Sequence, residues 1–179
     1  YSDEISQLDY YLQSVADKIY ISQLGSVALR GLSSEVLFFK GLQEKTGVQM
    51  EVIRHGKYKS AVEPFLDNKM SDNNRLQISQ LLNAMWGVIT ADISQSRNIS
   101  VEKLNEIATN VNGRNAQLAK NNGLVDDILY RDEFEKIICD KTGSKSIDKV
   151  DFINIEDYAE AVVGKASNNK TKDKIAVIY

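Results

Sequence analysis

Ile5, Leu8, Leu12 and Val15 recur at helical spacing through "SDEISQLDYYLQSVADK", so one face of a helix would collect them all. The pattern predicts an opening helix, with Ser2 or Asp3 as its N-cap. "KIYIS" and "SVALRG" then predict two short strands separated by a glycine-containing turn. "SSEVLFFKGLQEKTG" predicts a helix with serine caps in front and Gly47 behind. "VQMEVIRHG" places Val48, Met50 and Val52 on one face of a strand.

The second half is mostly helical in pattern. Ser71 or Asp72 caps a long helix whose stripe is Leu76, Leu81, Leu82, Met85, Val88, Ile89 and Ile93, with Trp86 joining it as core. "SVEKLNEIATN" is a further helix capped by Ser100, "RNAQLAKNNG" a short one ending at Gly123, and "YRDEFEKIICDKTG" another. "KVDFINI" predicts a strand and "EDYAEAVVGKA" a short helix. "SNNKTKD" lacks apolar residues and reads as a linker into a last strand, "KIAVIY". Strands alternating with helices give an α/β class, and no internal repeat is visible.

The 179 residues, 42% hydrophobic and 26% charged, suit one soluble domain with a core of its own. Basic and acidic residues are interspersed and the net charge is −3, so no polybasic footprint for nucleic acid exists. One histidine and one cysteine provide no zinc cluster, and the carboxylates show no calcium-loop spacing. Cys139, beside Ile137 and Ile138, reads as a structural thiol. No apolar run reaches the roughly 18 residues of a membrane span. The chain starts at Tyr1 without an initiator Met and stops on an apolar run, so both ends read as cut.

"RHGKYKSAVEPF" concentrates the candidate chemistry: His55, Lys57, Lys59 and the single proline, Pro64. A Ser-His-Asp triad would need His55, yet no Gly-x-Ser-x-Gly elbow is present. The alternative general base is a lysine, which titrates near about 10.4 in water and must be desolvated to accept a proton at neutral pH. Gly56 permits an unusual turn, Pro64 is expected to push Glu63 out of the helical region, and Ala61, Val62 and Phe65 supply apolar cover. In an extended segment Lys57 and Lys59 point the same way, so periodicity does not choose between them.

"GKYKSAVEPF" resembles the lysine motif of the signal peptide peptidase A (protease IV) family, Ser/Lys-dyad serine peptidases of the Clp-protease and crotonase superfamily. "YYLQSVADKIYIS" (10–22) is similar to that family's Tyr-Tyr helix and following strand, and "NNGLVDDI" (121–128) to its Gly-Leu-Val-Asp turn. The resemblance implies a Clp-protease/crotonase-like α/β fold, incomplete at its N-terminal edge. It makes Lys59 the general base, supported by Gly56, Tyr58 and Ser60, and implies no cofactor and no metal.

In short family members the nucleophilic serine lies in Ala-Ser-Gly-Gly-Tyr-Tyr. Counting back from Tyr10 and Tyr11, Gln7 takes the serine's place, followed by Leu8 and Asp9 where the family has glycines. Ser6 is one position off, a rotation of about 100° on a helix, and reads as structural. The chain therefore resembles the N-terminal half of the long tandem-repeat members, with no nucleophile of its own. The implied layout is a lysine-bearing domain over 1–166, a linker over 167–173 and, over 174–179, the first strand of a serine-bearing C-terminal domain.

The expected partners are that C-terminal half and other subunits of a homotetramer, with cleaved signal peptides as substrate. An anchor outside this chain would hold the protein in the bacterial inner membrane, facing the periplasm; nucleic acid is not expected. Two other readings compete: a non-catalytic scaffold with a vestigial lysine, and a crotonase-type acyl-CoA enzyme, for which no glycine-rich loop clearly supplies the oxyanion donors.

Overall fold

A computed structural model describes residues 1–53 and 60–167. It divides into two compact units, Tyr1–Arg131 and a second from Asp132 onward. The first unit has the expected α/β class: a three-stranded parallel sheet of β1 (Ser2–Ile5), β2 (Tyr20–Val27) and β3 (Asp127–Ile128), in the order β1-β2-β3, with helices around it.

The chain opens on a strand, β1 (Ser2–Ile5), where the periodicity predicted a helix. Helix α1 follows at Gln7–Gln13, and its N-cap is Ser6, not Ser2 or Asp3. Ser6 Oγ accepts from the Asp9 N–H at 3.2 Å and donates to Asp9 Oδ2 at 2.6 Å. Leu8, Leu12 and Val15 face outward, each more than 60% exposed, while Tyr10 is buried. Parallel pairing of "SDEI" with β2 supplies backbone bonds that a local helix pattern cannot anticipate.

Strand β2 (Tyr20–Val27) runs through the predicted turn as one element. Between the Ser2–Ile21 and Glu4–Ser26 pairs, β1 advances two residues and β2 five. The surplus residues bulge, which leaves Leu24 98% exposed. Gly25 lies so near β1 that a Cβ would stand 2.5 Å from the Asp3 carbonyl oxygen. Odd-numbered positions on either side of the bulge, Ile19, Ile21, Val27 and Leu29, enter the core.

Helix α2 covers only Lys40–Thr46, with Gly47 as its left-handed C-cap (φ 72°). The expected helical start at 33–39 is irregular; its β-branched and aromatic residues favour helix weakly, and the Phe39 N–H donates to Pro64 O at 2.6 Å. Residues 48–53 form no strand: among the described residues no strand pairs with them, and the Met50 N–H is taken by Gln43 Oε1 at 2.9 Å. A 3-10 turn at Ser60–Val62 leads into α3 (Glu63–Leu66).

Helix α4 (Asp72–Arg97) begins at Ser71, whose Oγ accepts from the Asn74 N–H. Ile93 is fully buried, and Trp86 and Ile89 pack against the core, whereas Leu76, Leu81, Met85 and Val88 of the predicted stripe are exposed. Trp86 Nε1 donates to Asn105 Oδ1 at 2.7 Å, tying α4 to α5 (Val101–Thr109), which Ser100 caps as expected. Helix α6 (Ala116–Asn121) is capped by Asn115 and followed by Gly123 (φ 74°). The turn then enters β3 (Asp127–Ile128). At Gly113 a Cβ would stand 2.2 Å from the Val27 carbonyl oxygen, whose own N–H donates to Gly113 O at 2.7 Å.

The second unit contains α7, which starts at the boundary (Arg131–Thr142), a 3-10 turn at Ile147–Lys149 and α8 (Ile155–Ser167). The strand expected from "KVDFINI" is replaced by that turn and irregular chain. Asn154 caps α8, its Oδ1 accepting from the Asp157 N–H at 2.8 Å. Cys139 is a half-buried free thiol. Of the expected linker and last strand, residues 168–179 lie outside the described residues.

Gly113→Ala forces either backbone or Leu124 to shift. A loss of about 2–3 kcal/mol is expected in urea unfolding, against a much smaller change for Gly41→Ala, where nothing lies within 4 Å of the added carbon.

Candidate functional site

The second half of the lysine motif is a clamp between helices. Glu63 is 3% exposed. Its Oε1 accepts from Ser71 Oγ at 2.5 Å, and its Oε2 accepts from Asn74 Nδ2 at 3.0 Å and from the Ser71 N–H at 3.3 Å. One carboxylate thus fixes the start of α4. Proline did not push Glu63 out of the helix: Pro64 sits in the first turn of α3, where its missing N–H costs nothing, and these bonds outweigh the steric bias on the preceding residue.

Phe65 stacks on Phe39 with centroids 5.6 Å apart. Gln43 Nε2 donates to Phe65 O at 2.8 Å. Of the predicted apolar cover, Val62 and Phe65 are half-buried and Ala61 is exposed. Ser60 opens the 3-10 turn. Lys59 and its neighbours His55, Gly56, Lys57 and Tyr58 lie outside the described residues.

The Gly-Leu-Val-Asp turn is organised around Asp126. Its Oδ2 accepts from the Ile19 N–H at 2.8 Å and from Arg97 Nη2 at 2.9 Å, and its Oδ1 pairs with Lys18 Nζ at 3.2 Å. Partial burial raises the Asp126 pKa, but the Ile19 N–H, Arg97 and Lys18 outweigh it and hold the carboxyl below the usual value of 3.8. The adjacent Leu124 carbonyl accepts from the Tyr10 hydroxyl at 2.9 Å. Burial pushes that hydroxyl's pKa well above its ordinary range, against the pull of nearby Arg97. Tyr11, the other member of the aromatic pair, donates to Asp92 Oδ2 at 2.5 Å. The Tyr-Tyr and Gly-Leu-Val-Asp segments, far apart in sequence, are therefore one interlocked structure.

Gln7, at the position the family resemblance gives to a serine, begins α1. Its Oε1 accepts from the N–H groups of Arg30 (2.9 Å) and Gly31 (3.0 Å), and its Nε2 donates to Gly31 O at 3.0 Å. Among the described residues, no three of His, Cys, Asp and Glu gather as a metal site, and no helix is long and apolar enough to cross a membrane.

Residues 1–142 match the model of peptidase family S49. The chain belongs to that family. It is 35% identical over 185 residues to Protease 4 of Haemophilus influenzae, covering 99% of this chain and 30% of that protein. It is 34% identical over 165 residues to Protease 4 of Salmonella typhi, covering 88% and 27%. To the chloroplastic serine protease SPPA of Arabidopsis thaliana it is 25% identical over 170 residues, covering 95% and 25%. The chain spans less than a third of the length of these S49 relatives.

The quoted lysine motif contains Glu63, but sequence reasoning missed its partners Ser71 and Asn74. A carboxylate just ahead of a Ser-x-x-Asn helix start was the available signal. It also missed the Arg97–Asp126 pair, which no spacing reveals.

Two outcomes are expected. Glu63→Gln replaces an acceptor with an amide that faces donors, lowering stability by about 1–3 kcal/mol in denaturant titration. For Asp126, the depressed folded pKa means that its stabilisation is complete above the unfolded value and is lost as pH falls through the folded one. Asp126→Asn should therefore lower the midpoint at pH 7 and flatten the acid limb below about pH 4 in a pH series of thermal melts.

Proposed function

We propose that this chain is the base-donating part of a serine endopeptidase that degrades cleaved signal peptides. In this reading Lys59, made neutral by desolvation, takes the proton from a serine outside the chain. The serine attacks the scissile carbonyl, and water resolves the acyl-enzyme. Membership of peptidase family S49, over a match that spans the lysine motif, is the observation that carries the reading.

Two further features support it. Gln7 has no nucleophilic atom, and its carboxamide is already engaged by the chain's own backbone at 30–31, so the nucleophile belongs elsewhere. The clamp of Glu63 and Phe65 on α4 and α2 supplies the rigid frame that a desolvated lysine needs immediately upstream. Gly56, Tyr58 and Ser60 are the motif residues proposed to shape the lysine's loop.

The proposal extends to assembly. Leu8, Leu12, Leu81, Met85 and Val88, with Val15 just past α1, leave exposed apolar surface on and beside α1 and α4, which suits contacts with the remainder of a longer polypeptide and with other subunits of a homotetramer. In this reading the proposed layout has a serine-bearing C-terminal half beyond residue 173 and an anchor outside this chain, with the catalytic part on the periplasmic side of the bacterial inner membrane.

Lys59→Ala and Lys59→Arg, each in the full-length parent protein, should lower peptidase kcat/KM on a hydrophobic peptide ester by about 10²–10⁴-fold, with the oligomeric state unchanged in gel filtration. Retained activity in either variant removes Lys59 as an obligatory base and favours a scaffold role.

A further inference from the structure

Helix α5 closes with a turn whose backbone bonds are ordinary and whose central residue is not. The Asn110 N–H donates to Glu106 O at 3.0 Å, and the Asn112 N–H reaches back to Ile107 O at 2.9 Å. That pattern needs a left-handed residue between them. The residue is Val111, at φ +51°. Among the described residues every other left-handed position holds glycine or asparagine: Gly31, Gly47, Gly123, Gly143 and Asn98. A branched side chain crowds the backbone in that region, and Val111 is exposed and no part of the core cluster.

Two residues on, the same turn grips the sheet. Gly113 O accepts from the Val27 N–H at 2.7 Å. The Arg114 N–H donates to Val111 O at 3.1 Å, and Arg114 Nη1 spans Asn110 O and Val111 O at 3.3 and 3.4 Å, bringing a positive charge to the negative end of α5. Bonds to β2 and to Arg114 thus hold shut a turn that its own valine disfavours. Strain kept in place by opposing contacts is the condition for an element with two states.

We propose that residues 110–114 form a strained latch on the end of β2, able to open as one unit while the core stays folded. Opening frees Val111 from the left-handed region and gives up the Asn112–Ile107 bond, the Gly113–Val27 bond and the Arg114 cap together. With the latch shut, the end of β2 is held from both sides, by Gly113 through the Val27 N–H and by Ile5 through the Ala28 N–H at 2.8 Å. With it open, the Gly113 side is released and the bond to Ile5 stays. The latch therefore sets how firmly the chain leaving β2 is fixed. It requires no role for Lys59, so its test is separate from that of the peptidase reading.

The experiment is amide hydrogen exchange by NMR on the full chain, read as protection factors. Val27 and Asn112 should share one value, about 100-fold below those of the buried α4 residues Thr90 and Ile93. Val111→Gly removes the strain and should raise both by about tenfold. Val111→Asn, which tolerates the same backbone without glycine's extra freedom in the unfolded chain, should raise both as well. Arg114→Ala should lower both by about threefold, and adding Val111→Gly to it should restore them. Val27 and Asn112 values that differ from each other, that equal those of Thr90 and Ile93, or that rise in neither Val111 variant would make Val111 a tolerated outlier in a fixed turn and overturn the proposal.

Discussion

One carboxylate holds the first unit together. Asp126 reaches the chain entering β2 through the Ile19 N–H, the end of α4 through Arg97, and the exposed approach to β2 through Lys18. Two residues earlier, Leu124 receives the Tyr10 hydroxyl from α1. The Arg97 side chain is only 9% exposed, so its charge needs a partner in place. Because the contacts come from three separate parts of the sequence, the turn at 123–126 ties α1, the start of β2 and the end of α4 together. The motif is first a structural keystone.

The lysine motif divides along similar lines. Glu63, Pro64 and Phe65 are bound to α4 and α2 by short hydrogen bonds and ring stacking, while the proposed chemistry belongs to the residues just before them. A base that works by losing its solvation cannot be carried on a loose segment. The proline and the buried carboxylate make sense as the fixed end of such a segment.

Local signals were legible in the sequence and non-local ones were not. Ser71, Ser100, Gly47 and Gly123 act where predicted because a cap depends only on residues within a turn of it. The opening helix failed for the opposite reason: Ile5 belongs to a strand whose partner lies some twenty residues on, and Tyr10, not the leucine stripe, is what α1 buries. "VQMEVI" and "KVDFINI" alternate like strands but pair with no strand among the described residues. At the site, family likeness placed Gln7 in the serine's position, but only the fold brings Arg30 and Gly31 to its amide. The Glu63 contacts were half visible, since the carboxylate stands in the motif and its partners stand in a helix start that was recognised as such.

The bulge in β2 separates the sheet into two independently registered stretches, Ser2 with Ile21 on one side and Glu4–Ile5 with Ser26–Val27 on the other. Residues 22–25 lie between the two pairings, and Leu24 stands in solvent. A residue gained or lost there changes the size of the outward loop without sliding any paired side chain to the wrong face. The middle of the central strand, usually the least forgiving place for a change in chain length, is here a point where homologous sequences are free to differ in length.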